Sequence, residues 1–71
     1  MWSTVFVIDQ KEIVSDKDFP AFHPGGKLFL YMLDTFSNKS VPVGYRIAEV
    51  FYDVQAKKPR QYVYLTKLEG F

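Results

Sequence analysis

One histidine, four serines and no cysteine leave this chain a narrow choice of chemistry, so each candidate can be weighed in turn. His23 stands in Phe22-His23-Pro24-Gly25-Gly26-Lys27, where an imidazole beside a Pro-Gly-Gly segment could ligate a metal or a haem iron, or act as a general base. A Ser-His-Asp site could draw on Ser15, His23 and Asp16, but none of Ser3, Ser15, Ser37 or Ser40 lies in a strand-Gly-x-Ser-x-Gly-helix setting. Paired carboxylates could come from Glu12, Asp16, Asp18 and Asp34. Asp16 and Asp18 fall in a segment read as an exposed loop, where acids are ordinarily solvated charges. The segment from Asp16 to Gly26 starts like a calcium loop, yet it lacks the ligand at the fifth position and the terminal glutamate. Pro24 to Lys27 is not a phosphate loop, because Leu28 occupies the position where a hydroxyl is needed.

The His23-Pro24-Gly25-Gly26 stretch resembles the haem loop of the small b-type cytochromes, whose histidine is an axial ligand and whose glycines open the loop. That family needs a second histidine for the opposite haem face, and here His23 has no fellow; Met32 is the one other axial candidate, inside an apolar run that packing explains. The expectation is therefore a Pro-Gly-Gly turn with His23 beside it, and no catalytic residue, metal or cofactor.

Two other groups of residues invite a binding function. Lys57, Lys58 and Arg60, with Arg46, Tyr52, Tyr62 and Tyr64 behind them, combine phosphate contacts with stacking surfaces, the two needs of single-stranded nucleic acid. Three charges at a tip supply little affinity at physiological salt, and lysines there also keep a sheet edge soluble. The chain further holds seven Phe, five Tyr and one Trp. A small barrel has room inside for about ten side chains, so some aromatics must lie at the surface as a protein contact. Tyr45, Phe51, Tyr52, Tyr62 and Tyr64 are the expected interface.

These groups need elements to position them. Residues 45–54 and 61–68 are rich in Tyr, Val and Ile without internal Gly or Pro, and read as two strands of an antiparallel hairpin with the basic tip 55–60 between them. Residues 2–9 alternate as a third strand, and Ile13 with Val14 suggests a shorter strand folding back on it. Residues 27–36 are apolar nearly throughout, so periodicity alone does not separate strand from helix. Lys27 to about Leu33 is read as a strand, followed by a loop from Asp34 to Gly44; Pro20, Pro24, Pro42, Gly25, Gly26 and Gly44 then all fall in connections. The expected fold is all-β, a small SH3-like five-stranded barrel. Its alternative is α+β, with one helix at about 26–37 on a three- or four-stranded antiparallel sheet.

Residues 41–51 followed by 61–71 resemble the carboxyl half of the plasmid-borne type II dihydrofolate reductases, small SH3-like barrels that assemble as tetramers around a shared pore. The resemblance makes Gln61 and Tyr64 the counterparts of the family's pore-lining Gln and Tyr. That pair is two residues apart in the family and three apart here, which puts the two side chains on opposite faces of the strand. The first half also lacks the family's Trp-x-Gly stretch, so the resemblance carries the fold idea and not the activity.

Length sets the remaining bounds. Seventy-one residues make one domain, 1–71, because a second core needs roughly 50 residues of its own. A compact monomer of 8.3 kDa would expose about 4,600 Å², and at that size burial and chain ordering nearly cancel. Domains so balanced lean on disulfides, a metal or another chain; with no cysteine and one histidine, self-association or dense aromatic packing remains. Net charge is +1, with −2 in residues 1–38 and +3 in residues 39–71, too little to imply nucleic acid alone. No apolar run approaches 18 residues and the amino terminus lacks the marks of a signal peptide, so a cytoplasmic protein without membrane contact is expected. The reading is a small interaction module, a homo-oligomer that also contacts a protein partner, with nucleic-acid binding as the alternative. The inventory favours binding over stand-alone catalysis, and an active site shared across an oligomer is the one enzymatic arrangement it allows.

Overall fold

The computed structural model describes residues 1–68 and holds five strands, with no helix among the described residues. They are β1 (Trp2–Ile8), β2 (Lys11–Phe19), β3 (Lys27–Asp34), β4 (Lys39–Asp53) and β5 (Arg60–Lys67). They form one sheet in the order β2-β1-β5-β4-β3, curled into a half-barrel that stays open between β2 and β3. All neighbours are antiparallel except β1 and β5, which run parallel from Ser3 beside Arg60 to Val7 beside Tyr64. No described helix is long and apolar enough to cross a membrane.

The helix considered for 26–37 does not form. Along β3 Leu28, Leu30 and Met32 pack on the core while Phe29, Tyr31 and Leu33 face outward, a strict period of two that only a strand gives. The loop expected from Asp34 to Gly44 contracts to residues 35–38. Asp34 organises it, its carboxylate accepting from the Phe36 N–H at 3.1 Å and the Ser37 hydroxyl at 2.9 Å, and Asn38 turns the chain with φ 55°. Pro42 and Gly44 therefore lie within β4, not in a connection. Pro42 is tolerated because its missing N–H points away from β3, so no bond of the β3–β4 ladder is lost.

β2 is also longer than the expected pair of apolar residues: it runs nine residues and takes Asp16 and Asp18 out of the expected loop into a strand. Its register on β1 jumps from Val14 beside Val5 to Asp18 beside Ser3, so residues 15–17 bulge outward and the Ser15 hydroxyl accepts from the Lys17 N–H at 3.1 Å. The β1–β2 turn has Asp9 and Gln10 at φ 49° and 67°, the two left-handed residues of a type I′ turn, with no glycine. Gln10→Gly should therefore stabilise the fold by about 0.5–1 kcal/mol, read as a higher urea midpoint at unchanged slope.

β4 gives the sheet its curl. It pairs with β3 over residues 39–46 and with β5 over 45–53, and its register slips at Ala48. Before the slip Tyr45 and Ile47 face the concave core; after it Val50 packs there and Phe51 turns out. The core is Phe6, Tyr45, Ile47, Val63 and Leu65, with Ile8, Phe19, Phe22, Leu28, Leu30, Met32, Val43 and Val50 around it.

Candidate interaction surface

His23-Pro24-Gly25-Gly26 is a type II turn. Pro24 sets the first corner, Gly25 takes φ 89°, and the Gly26 N–H donates to the His23 carbonyl at 3.2 Å. The Ile47 backbone clamps this turn from both sides, accepting from Gly25 and donating to Gly26 at 2.8 Å each. His23 is exposed and Met32 is packed on the core. Among the described residues no group of three His, Cys, Asp or Glu side chains could hold a metal.

Gln61 does structural work. Its side chain is fully buried, with Nε2 donating to the Thr4 hydroxyl at 3.0 Å and the Pro20 carbonyl at 2.9 Å while Oε1 accepts from the Phe22 N–H at 3.1 Å. One amide thus ties the β2–β3 connection to two strands that the chain cannot reach by backbone pairing. The Tyr52 hydroxyl adds a bond to the Phe22 carbonyl at 3.1 Å, and its ring lies 4.7 Å from that of Trp2. Under this strap Phe6, Phe19 and Phe22 meet with centroids 5.7 to 6.0 Å apart and, with Leu28, Phe29 and Leu30, line an apolar cavity of about 230 Å³. Tyr64 faces the other way, as its three-residue separation from Gln61 requires.

The expected interface aromatics divide. Tyr45, 5% exposed, belongs to the core and offers a partner no surface, and Tyr52 closes the strap. Phe51, Tyr62 and Tyr64 share the convex face, where register sets up three rows across the strands. Val14, Val5, Tyr62 and Phe51 make an apolar row. On one side of it runs Glu12, Val7, Tyr64 and Glu49, and beyond its other side Asp18, Ser3, Arg60 and Asp53. Phe51 and Tyr64 touch edge to face at 5.3 Å and remain 53% and 40% exposed.

Lys57, Lys58 and Arg60 lie together at the β4–β5 tip, and Arg46 stands apart from them. Lys58 pairs with Asp18 at 2.9 Å, an exposed ion pair worth at most about 1 kcal/mol. Arg60 sits directly opposite Asp53. Arg46 lies seven residues up β4 from Asp53, on the order of 20 Å from the tip that holds Lys57 and Lys58. The tyrosines that would stack on bases are flanked by Glu12, Asp18, Glu49 and Asp53, which repel phosphates.

No family model, curated protein or solved structure matches this chain. The surface has to be read from its own chemistry. Residues 29, 31 and 33 are the part the expected interface omits: Tyr31 is 73% and Leu33 64% exposed on an edge strand. Their signal is in the sequence. A strand apolar on both faces belongs in the middle of a sheet, and Leu28 to Leu33 stand at its margin.

Proposed function

We propose that this chain is a small non-enzymatic interaction module that associates with itself and contacts a protein partner through the convex face around Phe51, Tyr62 and Tyr64. Its architecture is a barrel of the SH3-like kind by size, strand number and curl, departing from a closed antiparallel barrel in its parallel β1–β5 pair and its open side. The observation that carries the reading is area. The chain exposes 5550 Å², against about 4,600 Å² for a compact monomer of its mass. The excess is close to the roughly 800 Å² that each partner contributes to a stable interface. The radius of gyration, 12.9 Å against about 11 Å for a compact 71-residue domain, agrees.

Of the four carboxylates round the apolar row, Asp18 pairs with Lys58 and Asp53 faces Arg60, so Glu12 and Glu49 are the ones that basic groups of a protein partner would meet. The test is solution mass across concentration, at low and high salt, with and without a short oligonucleotide. A mass above 8.3 kDa that rises with concentration and ignores both salt and oligonucleotide is expected. Lys57→Glu with Lys58→Glu should leave it unchanged. A monomer throughout, gaining mass only with oligonucleotide at low salt, would overturn the proposal in favour of Arg46, Lys57, Lys58 and Arg60.

A further inference from the structure

The apolar cavity has Phe19 and Phe22 on one side, Leu28, Phe29 and Leu30 on the other and Phe6 behind, and β2 and β3 are not neighbours in the sheet. Of the six lining residues Phe6 alone is buried; the others are half-buried or exposed, so a solute can reach the space from outside. The lining side chains carry no nitrogen or oxygen, and among the described residues no buried side-chain polar atom lacks a partner. Such a space stays dry and accepts apolar matter. A cavity of about 150 Å³ holds benzene, so 230 Å³ at the same filling holds roughly nine carbons.

Cations stand at one end of it. Lys27 precedes Leu28 and shares the outward face of β3 with Phe29, and a lysine stem can lie along apolar surface with its ammonium at the rim. Directly opposite Lys27 on β4 is Arg46, itself opposite Thr66 on β5, and all three are exposed. Like charges that face each other across a ladder destabilise it. Neither cation has an acidic partner among the described residues, and Asp18, the acid beside Phe19, is taken by Lys58 at 2.9 Å. An anion between Lys27 and Arg46 would remove the repulsion, and a carboxylate matches the guanidinium fork.

We infer that the cavity takes the alkyl tail of a free medium-chain carboxylate, of about eight to ten carbons, whose head lies between Lys27 and Arg46. The site is separate from the convex face and does not depend on whether the chain associates. Volume sets the tail and charge sets the head. A longer chain leaves its extra methylenes in water, and an alcohol of the same length fills the cavity without gaining the two charge contacts.

The test is calorimetric titration of the full chain with straight-chain carboxylates from hexanoate to palmitate, each below its micelle concentration. One molecule should bind per chain, about fourfold more tightly for each added methylene, with the gain levelling off near decanoate. Lys27→Gln with Arg46→Gln should weaken decanoate about tenfold and leave decanol unchanged, whereas Lys57→Gln at the far tip should alter neither. Leu30→Phe puts a ring into the space and should weaken decanoate and decanol alike at least about tenfold, at a urea midpoint no lower than that of the wild type, which shows that the fold is kept. Absence of saturable decanoate binding overturns the inference. So does an affinity that climbs through palmitate equally in the wild type and Leu30→Phe, which is adsorption to surface aromatics. Decanol binding as tightly as decanoate, with no loss in the Lys27 and Arg46 double variant, overturns the carboxylate as the ligand.

Discussion

Gln61→Leu should destabilise the fold by about 3 kcal/mol, measured as a fall in urea midpoint at unchanged slope. The substitution keeps the buried volume and removes three hydrogen bonds. The Thr4 hydroxyl keeps its bond to the Trp2 carbonyl, and the exposed Pro20 can turn its carbonyl to water, so the loss stays below the sum of three orphaned groups. Thr4→Val alone leaves one amide hydrogen of Gln61 unsatisfied in a buried place. The double variant should then cost less than the two singles together, by about 0.5–2 kcal/mol. Additivity within about 0.3 kcal/mol would show that the two side chains do not act as one clamp.

Phe6→Ala should cost still more, about 3–5 kcal/mol. Phe6 is the ring against which Phe19 and Phe22 both stand edge to face, at 6.0 and 5.9 Å, and it already lines the apolar cavity. Removing it merges a ring-sized void with the existing space, and the strap tied down by Gln61 limits how far the walls can close. A domain of 71 residues has on the order of 4–11 kcal/mol of stability, so the variant should melt tens of degrees lower. Benzene should raise its melting temperature more than that of the wild type, by filling the space. Equal shifts in the two proteins would mean that the cavity has collapsed.

Much of the β architecture was legible residue by residue. The alternation in 2–8, the Tyr-, Val- and Ile-rich runs at 45–53 and 61–67 and the polar tip between them are all where the pattern puts them. The Pro24-Gly25 corner is legible too, because only that pair presets one corner and permits a positive φ at the next. Other parts were not. Pro42 and Gly44 look like loop residues and become strand: the Pro42 nitrogen lies on the side of β4 away from β3, and the Gly44 carbonyl accepts from the Leu68 N–H at 3.0 Å. Ser15 to Asp18 look like a polar loop and become an edge strand, since edges accept charge.

The candidate surface divides in the same way. That surplus aromatics must reach the surface follows from counting them against the volume of a small barrel. Which ones do so depends on a single slip of register at Ala48: Tyr45 before it points in, and Phe51 after it points out, although an unbroken strand would put both on one face. The basic residues, adjacent in the chain around 57–60, acquire their acid neighbours Asp18 and Asp53 only when β1 carries β2 alongside and β4 closes on β5.

By itself the sequence determined a β-rich, aromatic-rich chain with strands over 2–9, 45–54 and 61–68, and left strand or helix open at 26–37. It did so because composition and local alternation act within a few residues and need no knowledge of neighbours. Tertiary structure alone decided that β1 lies parallel to β5 and that β2 and β3, one charged and the other apolar, end as the margins of the five-stranded sheet. Strand order is set by contacts between residues dozens of positions apart, such as Thr4 with Gln61, whose strength is invisible until the sheet has closed around them.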